Sequence, residues 1–160
     1  MPTHVKGYDP SGEAKQFIDF LENKLVPYIV VNYRADSSDF CFFGHSAGGL
    51  LGTHILMEKP YLFNKYIIGS PSYWWDDREI INRLQNKEFI GNSKTIKFYS
   101  YIGDQEGNMM LYGWRDFNKI FITKIDSTVN FKKKLYKNEN HITVTLTAFS
   151  KAVEFIYAER

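Results

Sequence analysis

Three kinds of residue, far apart along the chain, could together carry out nucleophilic chemistry. Ser46 stands in the pentad Gly44-His45-Ser46-Ala47-Gly48, His141 in KNENHIT, and Asp104 and Glu106 in GDQEGNMM. A serine hydroxyl becomes a useful nucleophile when a base accepts its proton and a third group orients that base. The Gly-X-Ser-X-Gly pattern suits a sharp turn from strand to helix that keeps the serine exposed. Both flanking glycines are expected to be required there, because side chains would collide with the neighbouring strand and helix. The same helix start would offer backbone N–H groups to a developing oxyanion, the amide of Ala47 first among them. His141 follows both the serine and the acids, and either Asp104 or Glu106 could accept its second ring N–H. His45 occupies the variable position of the pentad and reads as structural, beside the substrate. His4 and His54 lack a suitable position.

The surrounding pattern supplies the turn such chemistry needs. Residues 3–12 read as a loop, with Ser11 as cap of a helix beginning near Glu13. Phe17, Ile18, Leu21, Leu25 and Ile29 recur at helical spacing, with Pro27 expected to kink or divide the helix. Residues 40–43 form a short apolar run, as for a strand buried on both faces, and residues 48–57 return to helical spacing. Further strands are expected over residues 65–69, 95–102 and 129–136. Helices are expected over 77–84, 109–125 and 141–158, and residues 71–75 read as a loop. This alternation predicts a single α/β domain over residues 1–160, with four mainly parallel strands and helices on both faces. Ligands of such sheets bind beyond the carboxyl ends of the strands, where Ser46, Asp104, Glu106 and His141 all fall.

Composition narrows the function classes. The chain has 160 residues, a net charge of +2, 44% hydrophobic and 17% aromatic residues, which fits one folded domain. The one basic run, Lys132-Lys133-Lys134, lies inside an expected strand and reads as a solvated face or sheet edge, so nucleic acid is not an expected partner. The single Cys41 excludes an intramolecular disulfide and a thiolate cluster. The four histidines are scattered without ligand spacing, so neither metal nor organic cofactor is expected. No apolar stretch has signal-peptide or membrane-span length. As written, the chain reads as cytoplasmic and free of membranes; a truncated N-terminus would leave a periplasmic or secreted location open.

The order serine, acid, histidine is that of the α/β hydrolases. The chain resembles the esterases of that superfamily related to esterase D, and within them the branch of enterochelin and trilactone-siderophore esterases. The matching segments are PSGEAKQFIDFLENKLVPYI, FFGHSAGGL, GSPSYWWDDREI, GDQEGNMM and NENHITV. The resemblance implies a carboxylic ester hydrolase with Ser46 as nucleophile, His141 as base and Glu106 as acid, since the family's acid lies in a Gly-X-X-Glu segment matched by Gly103 to Glu106. Asp104 is the alternative acid. Trp74 and Trp75, with His45, would line the substrate side, and the substrate would be a small ester.

The resemblance also implies an incomplete fold. Family members are longer at the N-terminus, where they carry the first strands of the sheet and the second oxyanion donor. The chain would then be the C-terminal portion of the fold, and residues 40–43 would form an open edge able to pair with a second copy or a complementing chain. Losing one oxyanion donor costs on the order of 100- to 1000-fold in turnover. A weak or inactive fragment is therefore the alternative to a working esterase, and acyl transfer on the same residues is a third reading.

Overall fold

The structure, a computed structural model, describes residues 12–88, 90 and 95–158. The expected leading loop, with Ser11 and His4, lies outside the described residues apart from Gly12. Four strands, β1 (Cys41–His45), β2 (Lys65–Gly69), β3 (Ile96–Gly103) and β4 (Val129–Tyr136), form one sheet in the order β1-β2-β3-β4. Every neighbouring pair is parallel. Parallel neighbours need a crossover on each return, and the helices α3 (Ala47–Glu58), α4 (Trp75–Gln85) and α5 (Asn108–Phe121) provide them. The helix α6 (Thr143–Tyr157) follows β4.

The pleat sorts the apolar side chains of the central strands between two cores. Tyr66, Ile68, Ile96, Phe98 and Ile102 pack with residues of α3, α4 and α5. Ile67, Tyr99 and Tyr101 face the other way, onto Val144, Ala148, Ala152 and Ile156 of α6. Helices thus cover both faces, as the alternating pattern predicts.

β1 departs from expectation. It begins at Cys41 rather than Phe40 and runs through Gly44 and His45, which pair with Ile68 and Gly69. Phe40 instead brackets Asn64, accepting its amide N–H and donating to its side-chain oxygen at 2.9 Å. The strand is not buried on both faces: Phe43 is 45% exposed. Among the described residues β1 has a neighbouring strand on one side only.

The first helical region also differs. α1 (Ala14–Phe20) and α2 (Val26–Asn32) are joined by a π-helical turn, Leu21–Leu25, and Pro27 lies in the first turn of α2. A proline ring clashes with the carbonyl four residues back, and a widened turn relieves that clash. Of the expected apolar stripe, Ile18 and Leu21 are buried while Phe17 and Leu25 are exposed. α5 ends at Phe121, short of the expected 125, because Ile125 forms an isolated bridge with Ile90. Lys132, Lys133 and Lys134 lie exposed on β4, the other outer strand. No helix among the described residues is long and apolar enough to cross a membrane.

Candidate active site

Ser46 joins β1 to α3 with φ 56° and ψ −118°, a conformation that costs a non-glycine residue on the order of 1 kcal/mol. The turn holds because its backbone groups are tied down. The Ser46 amide donates to the Gly69 carbonyl at 3.0 Å, and its carbonyl accepts from Leu50 and Ser72, each at 3.1 Å. A Cβ on Gly44 would lie 2.2 Å from the Gly48 carbonyl oxygen, so Gly44 is sterically required. Gly48 is not: a Cβ there meets no atom within 4 Å, because the turn lies at the open edge of the sheet. The second tight glycine is Gly49, where a Cβ would sit 3.0 Å from the Gly69 carbonyl and 3.1 Å from Pro71. Ala47, the first residue of α3, is exposed.

The acid and the histidine meet across the ends of β3 and β4. The Glu106 side chain is 1% exposed, and its Oε2 lies 2.8 Å from Nδ1 of His141. Its other oxygen accepts from the Ser70 hydroxyl and from the Gly103 amide at 3.3 Å. A carboxylate accepts hydrogen bonds, so His141 carries its proton on Nδ1 and its lone pair on Nε2. The loops carrying these two residues are stapled together. Gln105 N–H donates to Glu139 O at 3.0 Å, and a Cβ on Gly103 would stand 2.2 Å from that same Glu139 oxygen. Asp104 belongs to the staple: its Oδ1 accepts from the Asn138 amide at 2.8 Å and its Oδ2 lies 3.7 Å from Lys137 Nζ. Between the two candidate acids, the one on the imidazole is Glu106.

Ser46, Glu106 and His141 line one cleft of about 380 Å³, together with Ser72, Trp74 and residues 107–110. The cleft opens where the chemistry of a parallel sheet is expected, beyond the carboxyl ends of the strands. Among the described residues Ser46 Oγ makes no hydrogen bond to His141; its neighbour is Ser72 Oγ at 3.3 Å. Hydrogen bonds between nucleophile and base are commonly long before substrate binds. Trp74 lines the cleft, whereas Trp75 packs against the main core. His45 stands ring to ring with His141, centroids 4.6 Å apart, and its Nδ1 lies 3.0 Å from Thr145 Oγ1. Burial and the neighbouring imidazole hold His45 below the ordinary histidine range. His54 is on the far side of α3, buried, with Arg83 donating to its Nδ1 at 3.1 Å. Burial pushes the Cys41 thiol up to about 11, so it stays an inert hydrophobe.

Sequence reasoning passed over Ser70 and Ser72. The available signal was their place at the carboxyl end of β2, within the SPSYWW segment.

Residues 6–141 match the sequence profile of the family described as "Putative esterase". The chain belongs to that family. The chain is 28% identical over 151 residues to the ferri-bacillibactin esterase BesA of Bacillus subtilis, covering 90% of the chain and 52% of the relative. It is 36% identical over 84 residues to the siderophore triacetylfusarinine C esterase of Aspergillus fumigatus, covering 52% of the chain and 28% of the relative. The crystal structure of the BES protein from Bacillus cereus superimposes with a TM-score of 0.82 at 29% identity, over 97% of this chain and 60% of that one. The chain thus spans about half the length of the curated relatives it matches, or less.

Proposed function

We propose that the protein hydrolyses carboxylic esters with Ser46 as nucleophile, His141 as base and Glu106 as the acid that orients it. The observation that carries this reading is the buried Glu106 carboxylate 2.8 Å from His141 Nδ1, on the cleft that also holds Ser46. Ser46 Oγ attacks the ester carbonyl carbon while Nε2 of His141 takes the hydroxyl proton. The carbonyl oxygen becomes an oxyanion facing the N-terminus of α3, where the Ala47 amide is the first donor. As the C–O bond breaks, the imidazolium returns its proton to the departing alcohol and an acyl-Ser46 ester remains. Water, deprotonated by the same imidazole, attacks that ester and releases the acid and free Ser46. The Nδ1–H bond to Glu106 stabilises the imidazolium in both halves.

The substrate class is supported by a relative whose name specifies a siderophore, the triacetylfusarinine C esterase of Aspergillus fumigatus. A siderophore ester entering past Trp74 is the proposed substrate. A fluorophosphonate probe tests the chemistry: it should label Ser46, and Ser46→Ala should abolish labelling. Folded protein that stays unlabelled would overturn the reading in favour of an inactive fragment, a reading supported by the Ser46 hydroxyl resting on Ser72 rather than on His141. Added acceptor alcohols distinguish hydrolysis from acyl transfer by the products formed.

The side of β1 left unpaired among the described residues is the proposed contact for a second copy or a complementing chain. Phe43 and Phe149, rings 5.2 Å apart, are both exposed there, and an unpaired strand edge recruits further strands. Analytical ultracentrifugation of the parent and of Phe43→Lys tests self-association. A parent that sediments as a monomer at every concentration removes the homodimer.

A further inference from the structure

Ser70-Pro71-Ser72, at the carboxyl end of β2, touches both ends of the proposed catalytic set, yet the mechanism above gives it no task. The segment is fixed on three sides. Ser70 N–H donates to the Tyr101 carbonyl at 2.8 Å, Ser72 N–H donates to the Ser46 carbonyl at 3.1 Å, and Pro71 lies against Gly49. That contact explains why Gly49 cannot carry a side chain without moving the segment. Tyr73 anchors its far end, with its hydroxyl 2.8 Å from Thr53 and its ring stacked on Phe117 at 4.2 Å.

Ser70 is fully buried with φ 40°, a backbone conformation that suits glycine far better. A serine held there at that cost supplies something glycine lacks, which is the hydroxyl. The hydroxyl donates to Oε1 of Glu106, the oxygen facing away from His141. A carboxylate that is 1% exposed depends on such donors, since water cannot replace them. Ser72, also buried, places its Oγ 3.3 Å from Ser46 Oγ.

We propose that Ser70 and Ser72 are paired positioning residues: Ser70 pins Glu106 so that Oε2 stays on His141, and Ser72 donates to Ser46 Oγ so that the nucleophile's own proton is directed to the imidazole. One rigid three-residue segment thereby couples the acid to the nucleophile through β2. The proposal rests on the reading of Ser46, His141 and Glu106 as the working set. Its two halves make different predictions, because Ser70 acts through Glu106 while Ser72 acts on Ser46 directly.

The test compares the parent chain with Ser70→Ala, Ser70→Gly and Ser72→Ala, using two readouts. One is the second-order rate of fluorophosphonate labelling at Ser46. The other is the low-field proton resonance of the His141 Nδ1–H in its bond to Glu106, which needs no activity. Both Ser70 variants should label about 10-fold more slowly or worse and lose or broaden the low-field resonance. Ser70→Gly relieves the positive φ, so a defect it shares with Ser70→Ala belongs to the hydroxyl and not to strain or misfolding. Ser72→Ala should label roughly 10-fold more slowly with the resonance intact. A labelling parent whose Ser70 variants keep both rate and resonance would overturn the proposal. A parent that never labels overturns the catalytic reading instead, and the resonance still decides whether Ser70 holds Glu106 on His141.

Discussion

The two sides of the cleft are built by different means. On the side of Glu106 and His141, the supporting strand β3 has a neighbour on each flank, and the two loops are joined by Gly103, Asp104 and Gln105. The carboxylate there has three partners and almost no water. On the side of Ser46, the supporting strand is the outermost of the sheet, Ala47 is exposed, and a side chain on Gly48 would meet open space. One half of the site is held by dense mutual contacts. The other is held by a strained dihedral and by the segment after β2. Preorganisation in this fold is therefore a local property, and its strength follows the number of flanking strands.

The largest effect that would sharpen this comparison lies on the dense side. Glu106→Gln should cut the rate of Ser46 modification by on the order of 10³- to 10⁴-fold, the loss seen when a triad acid becomes an amide, while Asp104→Asn should stay within a few-fold. Equal losses in the two variants, read as labelling rates, would erase the distinction drawn between the acids. Next comes a pair of glycines. Gly103→Ala drives a Cβ to 2.2 Å from a backbone oxygen and should cost about 3 kcal/mol or more in urea unfolding. Gly48→Ala, in an open stretch of helix, should gain about 0.5–1 kcal/mol. Destabilisation by Gly48→Ala would mean that the serine side is as tightly packed as the other.

Acid should strike the serine side through α3. Burial, with the Arg83 cation, pushes His54 down to about 3 from 6.5. Its folded pKa is depressed, so the unfolded chain takes up the proton first. The contribution is full above pH 6.5 and falls by about 1.4 kcal/mol per pH unit as pH drops towards 3. Urea midpoints at pH 7 and 4.5 should therefore differ by about 3 kcal/mol of stability, and His54→Gln should flatten that slope. A parent with no such slope would show that His54 is not a neutral core residue.

How much of this was legible in the sequence depends on what fixed each feature. Strands 65–69 and 129–136 are copied faithfully into β2 and β4, because turn residues and apolar runs bound them clearly. The spacing alone leaves Glu106 and Asp104 both open and only the family resemblance favours Glu106, since what separates them is the contact of Glu106 with Ser70, Gly103 and His141, three residues far apart or unremarkable in the sequence. Asp76, Asp77 and Arg78, three successive residues at positive φ, carry no glycine to signal the turn they make at the start of α4. The role of Gly48 was misread for a related reason. The pentad pattern assumes neighbours on both sides of the turn, and among the described residues β1 has them on one.

The sheet order β1-β2-β3-β4, identical to the order of synthesis, has a consequence for the newborn chain. Each strand can dock on the one made just before it, so the sheet can grow as the chain emerges. Ser46 is made before β2, and His141 only after β4. Throughout translation the hydroxyl is an ordinary alcohol with no base beside it. On the mechanism proposed above its base arrives only with the loop after β4, so a chain stalled before that loop would display the serine motif while remaining chemically silent.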